Sequence, residues 1–152
     1  MPIEAIDNRA AYCGLYCGAC PVFLATRAEG GLAAEAGAIL TCDGCRSGRL
    51  PPWCAECALK SCARGKGLEF CGDCAEYPCA SYVGFRDSRE YPYHSECPSY
   101  LEAIKAEGWR TWLSTMEEKW RCPDCSKKAS WWDRVCLSCK ASMPGFKKPD
   151  AS

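Results

Sequence analysis

CAECALKSCARGKGLEFCGDCAEYPC, residues 54–79, carries one spacing twice. C-x2-C-x4-C is written by Cys54, Cys57 and Cys62 and again, seventeen residues on, by Cys71, Cys74 and Cys79. Six thiols in 26 residues, separated by small, charged and glycine residues with almost no apolar periodicity, do not make a conventional core. Either disulfides or metal must hold such a segment. Six ligands cannot fill two sites of four, so each copy has to borrow from outside. The 42/45 pair, the 13/17/20 triplet and Cys97 are the available lenders.

The whole chain decides between the two chemistries. Its 152 residues contain 16 cysteines, above the roughly one-in-ten level that marks a stapled chain. The N-terminal text MPIEAIDNRAAY has acids and no apolar leader core, so a cytoplasmic chain with reduced thiols is expected. Six C-x2-C pairs, at 17/20, 42/45, 54/57, 71/74, 122/125 and 136/139, supply the usual chelating unit of structural zinc and of many iron–sulfur sites. Metal is therefore favoured over disulfides. No apolar run approaches the roughly twenty residues of a membrane span. Charge is balanced at 19 basic and 19 acidic residues, and thiolate-bound zinc would make the loaded chain acidic, which argues against general binding to a phosphate backbone.

N-terminal to the repeat, residues 12–21 read YCGLYCGACP, a C-x3-C-x2-C triplet of Cys13, Cys17 and Cys20 with glycines that free the backbone to wrap a metal. Radical-SAM enzymes hold a cluster with the same spacing, but this chain has neither the length nor the alternating strand–helix pattern of their scaffold. The Ala/Leu/Glu-rich text from Pro21 to Leu40 reads as two short helices split at Gly30-Gly31, with Pro21 at a first helical position and Val22, Leu24 and Ala25 facing inward. TCDGC at 41–45 is a knuckle of Cys42 and Cys45 with Gly44 in its turn.

The runs CGLYCGACP, CDGC and KSCARGKGLEFCGDCAEYPC together resemble a prokaryotic Cys-rich family, domain of unknown function 3795, over residues 12–98. The resemblance implies metal-binding cysteines, most often for zinc. It carries over no catalytic residue.

C-terminal to the repeat, His94 is the single histidine, open to a role as mixed ligand or as packing side chain, and Cys97 stands before Pro98 as a fourth ligand or a free thiol. Ser99-x-x-Glu102 reads as a capping box opening a helix to about Glu107. After Gly108, the residues Trp109, Trp112, Leu113, Met116 and Trp120 recur on one face of a second helix, better read as core than as docking surface. RCPDC and VCLSC, with Cys122, Cys125, Cys136 and Cys139, are two knuckles ten residues apart, the pattern of a zinc ribbon. Ribbon knuckles favour glycine after the second cysteine, whereas Ser126 and Lys140 stand there. Seven Lys or Arg against three Asp from Arg121 onward, with Trp131-Trp132, also suggest nucleic-acid binding. The tail from Met143 reads as mobile.

Four ribbon ligands leave twelve cysteines, which divide into three further sets of four. The expected fold is a small metal-stapled α+β chain: a Cys-rich multi-metal region with short helices (1–98), a two-helix connector (99–120) and a zinc-ribbon hairpin (121–152). All 16 cysteines are candidate ligands, for about four zinc ions or, in the N-terminal region, an iron–sulfur cluster. With no recognisable catalytic constellation, the expected role is a non-enzymatic binding or regulatory adaptor for a protein partner. An iron–sulfur redox protein and a nucleic-acid binder through the ribbon are the alternatives.

Overall fold

The computed structural model describes residues 5–34 and 37–147. Six helices carry most of the regular structure: α1 (Pro21–Glu29), α2 (Pro52–Ala55), α3 (Ala58–Gly65), α4 (Ala80–Arg86), α5 (Cys97–Glu107) and α6 (Trp109–Lys119). Two-residue strands β1 (Leu32–Ala33) and β2 (Ile39–Leu40) pair antiparallel, Leu32 opposite Leu40. The result is a small α+β chain of short elements, none of whose helices is long and apolar enough to cross a membrane among the described residues.

Proline and glycine set the element ends. Pro21 occupies the first turn of α1, and Gly30 closes that helix at φ +84°, a left-handed conformation that glycine adopts without a Cβ penalty. Gly31, at φ +150°, keeps the chain from re-entering a helix and turns it into the β1–β2 hairpin. The second short helix expected in this spacer is therefore replaced by strands, while Glu35 and Ala36 of that expectation lie outside the described residues. Val22, Phe23 and Thr26 are the buried positions of α1; Leu24 and Ala25 are only half-buried. The Thr26 hydroxyl donates to the Val22 carbonyl at 2.7 Å and accepts the Cys42 amide at 3.0 Å, tying the 42/45 knuckle to the helix.

α5 opens at Cys97, three residues earlier than the capping pattern implied, because Pro98 already fits a first helical turn. The Ser99 hydroxyl donates to the Glu96 carbonyl at 2.8 Å instead of capping the helix. Gly108, at φ +88°, separates α5 from α6. Trp112, Leu113 and Met116 of α6 are buried, with Trp120 just beyond, so the aromatic stripe is core. Tyr16 meets Trp112 edge-on at 6.1 Å and Tyr100 lies 5.9 Å from the same ring. Arg9 pairs with Glu117 across the same junction.

The C-terminal module has its own small apolar cluster, Cys122, Ala129, Cys136 and Met143. It is also fastened to the main core. Trp131 stacks on Tyr93 at 3.9 Å and donates its backbone N–H to the Ala19 carbonyl at 3.1 Å; the Ala129 amide donates to Trp120 at 2.8 Å. The expected free tail is held as far as Phe146. Met143 donates to Arg134 and Gly145 to Asp133, each at 2.9 Å, and the Met143 side chain is buried. Lys148 and the residues after it lie outside the described residues.

Candidate metal sites

The C-terminal cluster is built from two copies of one backbone device. In the first, the Ser126 amide donates to the Cys122 carbonyl and the Cys122 amide to the Lys127 carbonyl, each at 2.9 Å. In the second, Lys140 donates to Cys136 at 2.9 Å and Cys136 to Ala141 at 2.7 Å. Ser126 and Lys140 adopt φ of +66° and +68°, so the left-handed turn that glycine usually supplies is present with other side chains at a modest strain cost. Single antiparallel bridges, Arg121 with Lys128 and Val135 with Ser142, close each knuckle. These isolated bridges stand in place of the continuous hairpin expected for residues 121–152.

Those turns aim four sulfurs inward. The Sγ atoms of Cys122, Cys125, Cys136 and Cys139 all lie within 4.8 Å of one another. Cys122 and Cys139 are 3.4 Å apart, and Cys125 and Cys136 are 3.5 Å apart. That is far beyond a disulfide bond of about 2.05 Å and close to the separation of about 3.8 Å set by four thiolates around one ion at about 2.3 Å. The backbone N–H groups of Cys139 and Ser138 point at the Cys136 sulfur and lower its pKa, whereas the neighbouring sulfurs raise Cys125 and Cys139 against the backbone N–H groups of Lys127 and Ala141, so one thiolate forms first and a cation would favour the rest. The group could hold a metal ion.

The other twelve cysteines are arranged differently. Among the described residues, no three of them bring their sulfurs together at that distance. Cys13, Cys17, Cys42 and Cys97 are buried; Cys20, Cys45, Cys54, Cys57, Cys71, Cys74 and Cys79 are partly buried; Cys62 is exposed. Glycine makes the deepest of these approaches possible. Gly14 has φ +92°, and a Cβ there would lie 2.8 Å from Leu101 Cγ and 2.9 Å from the Cys97 carbonyl oxygen, so only glycine lets the Cys13 turn rest on α5. The Tyr82 hydroxyl, donating to the Cys13 carbonyl at 2.8 Å, and the Cys71 amide, donating to the Tyr12 carbonyl at 2.7 Å, lock the triplet to the second repeat copy.

The electrostatics trace which thiols face one another. Burial pushes Cys54 up to about 12, and the charges of Cys20, Cys42, Cys45 and Cys57 push the same way. Burial raises Cys17, with Cys45 and Cys20 the nearest contributors. Cys13 is raised first by its hydrogen bond with Cys97, then by burial. Cys71 is pushed up to about 12 by burial and by Cys13, Cys57, Cys79 and Cys62. Each thiolate formed in such a group raises the cost of the next unless a cation compensates. The first repeat copy is thus split. Cys54 turns toward the N-terminal triplet and the 42/45 knuckle, Cys57 lies between those thiols and Cys71, and Cys62 joins the second copy, lining one cavity with Cys71, Cys74 and Cys79. The second copy therefore borrows from its own twin.

Two lysines near these thiols have no motif that announces them. Lys60 is buried in α3, and its ammonium pulls against the burial that raises Cys42 and takes Cys45 to about 11. Its position directly after buried Leu59, on the face shared with Ala63, was the available signal. Lys66 reaches the Cys74 sulfur at 3.3 Å. His94, by contrast, is a packing residue. Its ring stacks on Phe85 at 3.9 Å, Nδ1 lies 3.1 Å from the Phe85 carbonyl, and burial lowers its pKa to about 4.

Comparison with curated proteins gives no match, and none of the solved structures matches. A family model does match, and it covers the triplet, the 42/45 knuckle and both repeat copies. Residues 9–83 belong to the family described as Protein of unknown function (DUF3795).

Proposed function

We propose that the chain is a metal-stapled, non-enzymatic binding protein whose Cys122, Cys125, Cys136 and Cys139 hold one structural zinc in a ribbon-type module. The observation that carries this is the closed set of four sulfurs, all within 4.8 Å of one another and reached by two matching knuckle turns. Zinc fits an all-thiolate tetrahedral set with no position left for substrate, which is the arrangement of a structural site. When bound, the ion supplies cross-linking in place of a core that here amounts to Ala129 and Met143 beside the cysteines. The twelve N-terminal cysteines hold further metal on this reading, and the chain works in a reducing cytoplasm.

The adaptor role rests on the module's outer face. Leu137 is 64% exposed and Val135 49% exposed, and the exposed Arg134 and Lys140 flank them in the chain. An apolar centre with a basic rim suits an acidic protein segment. Nucleic-acid binding is the weaker reading, because Trp131 is spent on the Tyr93 stack and cannot offer its face to a base.

Anaerobic purification followed by elemental analysis tests the zinc assignment. The wild-type chain should carry zinc, and Cys125→Ser should carry one zinc fewer. Equal zinc in the two proteins, or none in either, overturns it.

A further inference from the structure

Cys62, Cys71, Cys74 and Cys79 surround one cavity of about 300 Å³. They come from four separate places: the last turn of α3, a 3-10 turn at Cys71–Asp73, the loop after it, and the residue that precedes α4. Leu59, Leu68 and Tyr82 supply apolar wall.

Two features set this group apart from the C-terminal cluster. The cavity has about the volume of ten waters at roughly 30 Å³ each, far more than one ion occupies. Its sulfurs also stand further apart: no three of the N-terminal thiols approach as the C-terminal four do, among the described residues. A single tetrahedral ion draws its thiolates to about 3.8 Å from one another. A polynuclear cluster distributes its four thiolates over two or four irons and so spreads them wider. The rim completes the chemistry. The Lys66 ammonium lies 3.3 Å and the Glu76 backbone N–H 3.4 Å from the Cys74 sulfur, both donating toward a site that would carry negative charge. Lys66 is held there by its ion pair with Glu76 at 2.9 Å.

We propose that Cys62, Cys71, Cys74 and Cys79 hold a polynuclear iron–sulfur cluster in this cavity, with Lys66 tuning its potential. The proposal rests on reading the N-terminal cysteines as metal ligands, and is independent of the zinc assigned to the C-terminal module.

The experiment uses the full chain, reconstituted anaerobically with ferric iron, a thiol reductant and sulfide after zinc loading. Wild type should develop visible charge-transfer absorption with iron and sulfide in comparable amounts. Cys74→Ser should lose that absorption while keeping the wild-type zinc content, which reports that the C-terminal module is intact. Lys66→Gln should keep the iron and move the midpoint potential to more negative values, since a cation beside the cluster is removed. Zinc uptake alone by wild type, full absorption in Cys74→Ser, or an unmoved potential in Lys66→Gln each overturns the proposal. Loss of zinc from wild type would instead count against the C-terminal assignment.

Discussion

The two ends of this chain solve one problem, how to organise thiols, in opposite ways. At the C-terminal end four cysteines meet through two local turns, each closed by bonds spanning a few residues. In the N-terminal region twelve cysteines are drawn together by contacts between distant segments, such as Tyr82 with Cys13 and Cys71 with Tyr12. The local solution gives a tight set of sulfurs with little core behind it. The distributed one places thiols inside an aromatic core and leaves their sulfurs further apart. Spacing along the chain and spacing in space agree only where the connecting turns are short.

The sharpest way to break this contrast is a matched pair of substitutions. Cys139→Ser should release the module's metal and raise hydrogen exchange only around residues 121–143. Cys57→Ser should raise exchange across the triplet, the 42/45 knuckle and the repeat. Equal spread for both variants would mean that the two regions are not organised differently. Next in size, Trp112→Ala removes a side chain that is 2% exposed and touches both Tyr16 and Tyr100. It should cost about 3–5 kcal/mol, seen as a large drop in the melting temperature of the main core.

Acid should act on the core before the thiols matter. Folding holds His94 neutral with its pKa lowered from 6.5 to about 4. The unfolded chain takes up the proton first, so stability present above pH 6.5 is lost as the pH falls toward 4. The loss is about 3 kcal/mol by linkage. His94→Gln should flatten that part of the stability profile, and an unchanged slope would place the sensitivity elsewhere. Smallest is Tyr82→Phe, which deletes the bond to the Cys13 carbonyl and should cost about 1 kcal/mol or somewhat more, measured by denaturant titration with the metal sites loaded.

Local signals were the readable ones. Pro21 opening α1, Gly108 splitting α5 from α6, the α6 stripe and the C-terminal knuckles all follow from spacing over a few residues. Ser126 and Lys140 show the limit of reading by residue type, since the knuckle imposes a left-handed backbone on side chains that rarely choose it. The β1–β2 hairpin was hidden because an Ala-rich run has helical propensity that tertiary pairing overrides. Which of Cys54, Cys57 and Cys62 turns toward which neighbour depends on where α3 lies against α4. No interval between cysteines encodes that.

The bond from Trp131 back to Ala19 bears on how the chain is made. A ribosome delivers the cysteines of the triplet and both repeats long before it delivers Trp112, Trp120 and Trp131, against which their core closes. For that interval these nine thiols are uncovered and free to take the wrong metal or to cross-link with one another. The protein's yield in a cell should therefore depend on metal supply and reducing power during synthesis more than on the stability of the finished fold.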